Sequence, residues 1–236
     1  MRIAILAGVL LAGCPSPAPR PHPSSEIAKP AKTAAVQAPA PPAVAPTPPP
    51  VASSSKPAPV PHGTALALLL DASGSMAGPS IAAEKEGAKR VVSLLGPNDL
   101  VEVLTFAAST KVVMPLTAAS ERAAIDSAID GITTSSGTAF YTAIDLAHAD
   151  LLACDALLKH VLLVTDGKAV DTGLDTAVTA MFKDHIGFSA IGLGSEVDGA
   201  LLGKLAKLGG GRFHAVGLVS ALGATMHREI GIVLGP

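Results

Sequence analysis

From Gly63 onward the chain alternates between short unbroken apolar runs and segments whose apolar residues recur every three or four positions. Residues 65–70 form a continuous apolar run ending in Asp71, and residues 161–165 form a second one ending in Asp166. A run that is apolar at every position, and not at every second one, marks a strand covered on both faces, as in a parallel sheet. Ile81, Ala88, Val91, Val92 and Leu95 fall at helical spacing, which predicts a helix after Ser80 as N-cap and before a stop at Gly96-Pro97. Strands are predicted at 100–106 and 111–114. A helix is carried by Ile125, Ala128, Ile129 and Ile132, and another, over 140–158, by Phe140, Ile144, Ala147 and Leu151. A helix at 174–182, a strand at 186–193, a helix at 197–208, a short strand at 212–216 and a final helix complete the series. Strands alternating with helices imply an α/β fold: a doubly wound, mostly parallel central sheet flanked by helices on both faces.

The first 62 residues follow a different pattern. Met1 and Arg2 precede an apolar run over 3–11 that is far short of the roughly 20 residues needed to span a bilayer, so a signal peptide is predicted over 1–13. Leu11-Ala12-Gly13-Cys14 resembles the bacterial lipobox, which implies cleavage before Cys14 and lipidation of that cysteine. The lipobox implies a cell-envelope, extracytoplasmic protein anchored to a membrane by lipid, and Pro15 after the cysteine favours the outer membrane. Sixteen of the twenty prolines lie between Pro15 and Pro61, so 14–62 reads as the lipidated Cys14 followed by a disordered Pro/Ala-rich linker. In polyproline II such a linker reaches at most roughly 150 Å. The head, 63–236, is long enough for one domain with a full core.

Composition refines this division. The linker carries +3, whereas the head, with twelve Lys and Arg against eighteen Asp and Glu, carries −6. An acidic head with 3% aromatics argues against nucleic acid as a partner. If Cys14 is lipidated, Cys154 is the one thiol left, so no intramolecular disulfide forms, and its apolar neighbours make it a buried small hydrophobe.

The chemistry collects at strand ends. In an open α/β sheet the functional crevice lies beyond the carboxyl ends of the strands, and Asp71 and Asp166 each occupy that position. Neighbouring strands lie about 4.8 Å apart, so two carboxylates there repel and call for a proton or a cation. Asp71-Ala72-Ser73-Gly74-Ser75 offers alternate oxygen side chains on a loop bent by glycine, and Thr138, before the third helix, brings a further hydroxyl. Two carboxylates and three hydroxyls without His or Cys suit a hard divalent cation, Mg²⁺ first, with Ca²⁺ or Mn²⁺ as alternatives, and disfavour zinc.

At these residues the head resembles a von Willebrand factor type A domain. That family's metal-ion-dependent adhesion site, D-x-S-x-S with a Thr and an Asp from two further loops, is matched by Asp71, Ser73, Ser75, Thr138 and Asp166. The segments Val164-Thr165-Asp166-Gly167, Ile191-Gly192-Leu193-Gly194 and Gly210-Gly211-Arg212 follow in the family's order, while Lys168 departs from the acidic or polar residues usual after Asp-Gly. The resemblance implies a cation held by these five residues, with one coordination position left for a Glu or Asp carboxylate of a partner protein. It also implies that Thr138, at a helix start, adds dipole potential for that carboxylate. The alternative is a structural or assembly subunit of an envelope complex with a non-adhesive metal site. Enzyme signatures are missing: a phosphatase of the haloacid-dehalogenase type needs D-x-D where position 73 is Ser, the hydrolase elbow fails at Met76, and the seven His show no ligand spacing. The Gly209-Gly210-Gly211 run lacks the Lys of a P-loop and reads as a tight turn.

Overall fold

The computed structural model describes residues 62–167 and 172–235. The signal peptide and linker readings over 1–61, Cys14 among them, and the Lys168 departure lie outside the described residues. Six strands form one sheet: β1 (His62–Asp71), β2 (Leu100–Phe106), β3 (Thr110–Ala118), β4 (Ala156–Thr165), β5 (Ile186–Leu193) and β6 (Gly210–Val216). The helices are α1 (Pro79–Val92), α2 (Arg122–Asp130), α3 (Tyr141–Ala153), α4 (Leu174–Lys183), α5 (Gly199–Leu208) and α6 (Val219–Leu234). Strand order is β3-β2-β1-β4-β5-β6, with β3 antiparallel to β2 and every other pairing parallel. This is the doubly wound, mostly parallel sheet that the alternation predicted.

The central strand explains its own sequence. Leu66, Leu68 and Leu70 of β1 pack into a core with α1, α2 and α6, while Ala65, Ala67 and Leu69 pack into a second core with α3, α4 and α5. With no face left to water, alternation disappears and the run becomes apolar throughout. Truncating any one of these leucines to Ala would cost about 2–5 kcal/mol, because so tightly covered a strand cannot collapse into the cavity.

Several element ends differ from the sequence expectation, each for a local reason. Helix α1 starts at Pro79, not after Ser80: Gly78, at φ 82°, makes the entry turn and Pro79 fills the first helical position, where its missing N–H costs nothing. It ends at Val92, since Leu94 and Leu95 donate only to carbonyls three residues back. The third helix stops at Ala153, well short of 158; Cys154 is already extended, and β4 begins at Ala156. Strand β3 runs four residues past 114, through the edge residue Pro115 and a register shift against β2. An edge strand with a proline at a bulge carries too few buried apolar positions to announce its length. The three-glycine run is not a turn ahead of the last strand: Gly209 caps α5, and Gly210 and Gly211 already belong to β6, where Gly210 has φ 68° and a Cβ at Gly211 would sit 2.3 Å from the Phe188 carbonyl oxygen. Cys154, expected to be buried, is only half-buried; it donates to the Leu151 carbonyl at 3.2 Å, and burial pushes its thiol up from the ordinary value.

Candidate metal centre

Strand order places β1 directly beside β4, although β2 and β3 intervene in sequence, so the winding reverses between them. That is the switch point, and both strand-end carboxylates stand at it. Asp71 closes β1 and is fully buried, while Asp166 follows Thr165, the last residue of β4, and is half-buried.

Hydrogen bonds knit the two ends together. The Ser73 N–H donates to Asp71 Oδ1 at 2.8 Å, and the Thr165 hydroxyl donates to Asp71 Oδ2 at 2.5 Å. The Ser73 and Ser75 hydroxyls are 3.0 Å apart, and Ser75 Oγ donates to Asp166 Oδ1 at 2.7 Å. A short 3-10 turn over Gly74–Met76, anchored by fully buried Met76, turns Ser75 outward to the exposed rim. The loop carrying Thr138 is stitched on from the side. Ser135 N–H donates to the Ala72 carbonyl at 2.7 Å, Ala108 N–H to Ser136 at 2.7 Å, and Ala139 N–H to Ala107 at 2.8 Å. Gly137, at φ 91°, allows that approach, since a Cβ there would lie 2.6 Å from the Ala108 nitrogen. Thr138 reaches the third loop at Gly167, where an added Cβ would meet the Thr138 hydroxyl oxygen at 3.4 Å. All five residues predicted from sequence therefore belong to loops that meet at one crevice. One expectation changes: α3 starts at Tyr141 with Phe140 as its cap, so Thr138 stands three residues before the helix and outside its first turn.

Two participants escaped the sequence reading. Thr165 holds Asp71 and also accepts from the Gly167 N–H at 3.1 Å, so a single hydroxyl ties both carboxylate loops. Its signal was the hydroxyl of the residue closing a run over 161–165 that the hydrophobic pattern counted as apolar throughout. Glu84, fully buried in α1, accepts the Asp71 N–H on Oε1 at 3.0 Å, and its Oε2 is buried with no partner among the described residues. Its signal was a Glu one turn from Ile81 and Ala88 on the apolar stripe of α1.

Electrostatics and spacing suit a cation. Burial pushes the Asp71 carboxyl up from its ordinary value; its bonds from Ser73 and Thr165 pull it back, and the negative charge of Asp166 pushes it up again. Burial, then the nearby Asp71 charge, pushes Glu84 well above the carboxylate range. Adjacent ligand oxygens of an octahedron with bonds of about 2.0–2.1 Å stand about 3 Å apart. The Ser73, Ser75 and Asp166 oxygens already show that spacing, at 3.0 and 2.7 Å. Among the described residues no three His, Cys, Asp or Glu side chains gather as a metal cluster, so a cation here would lean on hydroxyls. The donor set fits a hard ion.

A sequence profile of the von Willebrand factor type A domain matches residues 65–227. The uncharacterized protein YfbK of Escherichia coli K12 is 25% identical over 177 residues, which cover 70% of this chain and 30% of YfbK. Among solved structures, a von Willebrand factor type A protein from Catenulispora acidiphila superposes with a TM-score of 0.67 at 21% identity, covering 74% of this chain and 43% of that one. Proximal thread matrix protein 1 of the mussel byssus, solved with zinc in its MIDAS motif, gives 0.66 at 22% identity, covering 74% and 46%. This chain spans under half the length of each.

Proposed function

Because the chain belongs to the von Willebrand factor type A family, we propose that its head binds a divalent cation through Asp71, Ser73, Ser75, Thr138 and Asp166 and through it captures an acidic side chain of a partner protein. When bound, the ion supplies a Lewis-acidic position open to a partner carboxylate. The chain's own residues do the rest. Ser73 and Thr165 fix both oxygens of Asp71, so the carboxylate is oriented before any ion arrives. Two carboxylates neutralise a divalent charge, while neutral hydroxyls from Ser73, Ser75 and Thr138 leave the ion short of negative charge and open to one more anion. Exposed Ser75 puts that open side at the surface.

The observation that carries this reading is the run of hydrogen bonds from Asp71, through the Ser73 N–H and the Ser73 and Ser75 hydroxyls, to Asp166, assembled from two separate segments at the switch point. Mg²⁺ is our choice of ion on ligand hardness, with Ca²⁺ or Mn²⁺ next; the zinc of the mussel protein indicates that a site of this family accepts a softer ion as well. We read the protein as a binding module and not an enzyme. The lipobox-like segment ending at Cys14 supports reading it as a lipid-anchored, extracytoplasmic protein of the envelope, with Pro15 weakly favouring the outer membrane. A structural or assembly role with a non-adhesive ion is the second reading, favoured by how fully Asp71 is buried.

Capture of envelope proteins on the immobilised protein, in Mg²⁺ and again in EDTA, separates the two. Adhesion predicts a partner that is retained in Mg²⁺, is released by EDTA, and is lost with Asp71→Ala. A partner retained equally in EDTA would support the structural role.

A further inference from the structure

On the opposite half of the sheet a second polar cluster joins four elements. His160 of β4 is 6% exposed, and Ser189 of β5 and Glu229 of α6 are fully buried. The Ser189 hydroxyl donates its one proton to Glu229 Oε1 at 2.7 Å, so it accepts from the Arg212 N–H at 3.1 Å and from His160 Nε2 at 3.0 Å. That accounting places the His160 proton on Nε2 and the lone pair on Nδ1. Glu229 Oε2 accepts from Arg212 Nε at 2.9 Å and His214 Nε2 at 2.6 Å. One carboxylate of α6 thus receives three bonds from β5 and β6.

We infer that this clasp makes the seating of α6 on the sheet acid-labile, with His160 as the group that takes up the proton and α6 as the element released while the central strands stay folded. A second proton on His160 must go to Nδ1, which faces Gly187 so closely that a Cβ there would lie 2.5 Å away. Glycine offers no side-chain acceptor, and with the residue only 6% exposed a cation there would be poorly solvated and so costly. Beside the clasp runs a groove of about 330 Å³ bordered by His160, Gly187, Arg212, Ile232 and Val233. Displacing α6, which supplies Ile232 and Val233, therefore opens the ring much further to water.

Burial pushes His160 down to about 4, with Glu229 opposing and Arg212 adding to the effect. Against the exposed value of 6.5, the seated state keeps His160 neutral where the released state is protonated. The clasp is therefore at full strength above pH 6.5 and weakens as pH falls towards 4. The bonds from Arg212, Ser189 and His214 outweigh burial and hold Glu229 below its ordinary value, so it stays charged across that window. The other charged groups do not drive release. Arg212 is a cation throughout, and protonating His214 preserves its bond to Glu229 and adds an opposite charge. Lys159 borders the groove without a bond in the clasp. On its other side α6 meets α1 through Gly87, Gly223 and Met226.

Hydrogen exchange on the full chain at pH 8 and pH 5, corrected for intrinsic rates, tests this. Amides of α6 should lose about 30-fold of their protection at pH 5, while β1 and β4 keep theirs. His160→Gln keeps a donor for Ser189 but takes up no proton, so its α6 should stay protected at pH 5. If that variant does not fold, Glu229→Gln at pH 8 serves instead and should expose α6 without acid. The inference is overturned by α6 protection that ignores pH, by equal loss in wild type and His160→Gln, by loss from α6 and the central strands together, or by an unchanged α6 in Glu229→Gln.

Discussion

Glu102, in the middle of β2, is fully buried, and neither of its carboxylate oxygens has a partner among the described residues. Burial, and next the neighbouring Asp150, push its carboxyl up to about 8. The folded protein therefore keeps this proton over a range in which an unfolded Glu has lost it. Stability falls as pH climbs from 4.5 towards 8, by an amount on the order of a few kcal/mol. Glu102→Gln mimics the protonated form, so its melting temperature should drop less than that of wild type between pH 5 and pH 8; parallel curves would contradict this. At this scale the candidate metal centre was legible wherever polar residues interrupt an apolar pattern in the open, as Asp71, Ser73, Ser75 and Asp166 do. Thr165 and Glu84 were not, because each acts through a hydrogen bond to Asp71 from a separate element, and periodicity records burial without recording partners.

Helices α1 and α6 meet through glycine. A Cβ on Gly87 would fall 2.4 Å from Met226 Sδ and 3.0 Å from the Gly223 Cα. The flexible Met226 thioether can shift, but the Gly223 backbone cannot without moving α6. Gly87→Ala gains up to about 1 kcal/mol of helix propensity and loses about 1–3 kcal/mol to overpacking, so a net destabilisation read by urea denaturation is expected. A stabilised variant would mean that the two helices slide freely. Strand and helix identities were readable because each element is either apolar throughout or apolar on one stripe. Their ends were not, because they depend on neighbours: β4 reaches back to Ala156, which pairs with His62, and α3 gives way at Cys154 to let it.

Over the whole molecule the net charge of −2 divides into +1 from Arg2, a +3 linker and a −6 head. Two of the head's charges, Asp71 and Asp166, sit side by side with no cationic side chain bonded to either among the described residues. The fold was legible to the level of a doubly wound sheet, since local hydrophobic runs dictate the layers. Strand order was not, because pairing β1 with both β2 and β4 is a long-range choice, and that choice brings Asp71 and Asp166 to one crevice. The arrangement makes a direct demand on solution behaviour: an ion should bind the protein without any partner present. Isothermal titration of Mg²⁺ into the full chain should give one saturable site that disappears in Asp71→Ala, with the variant still folded by circular dichroism. Equal Mg²⁺ binding by wild type and Asp71→Ala, or none by either, would contradict the assignment of the metal centre.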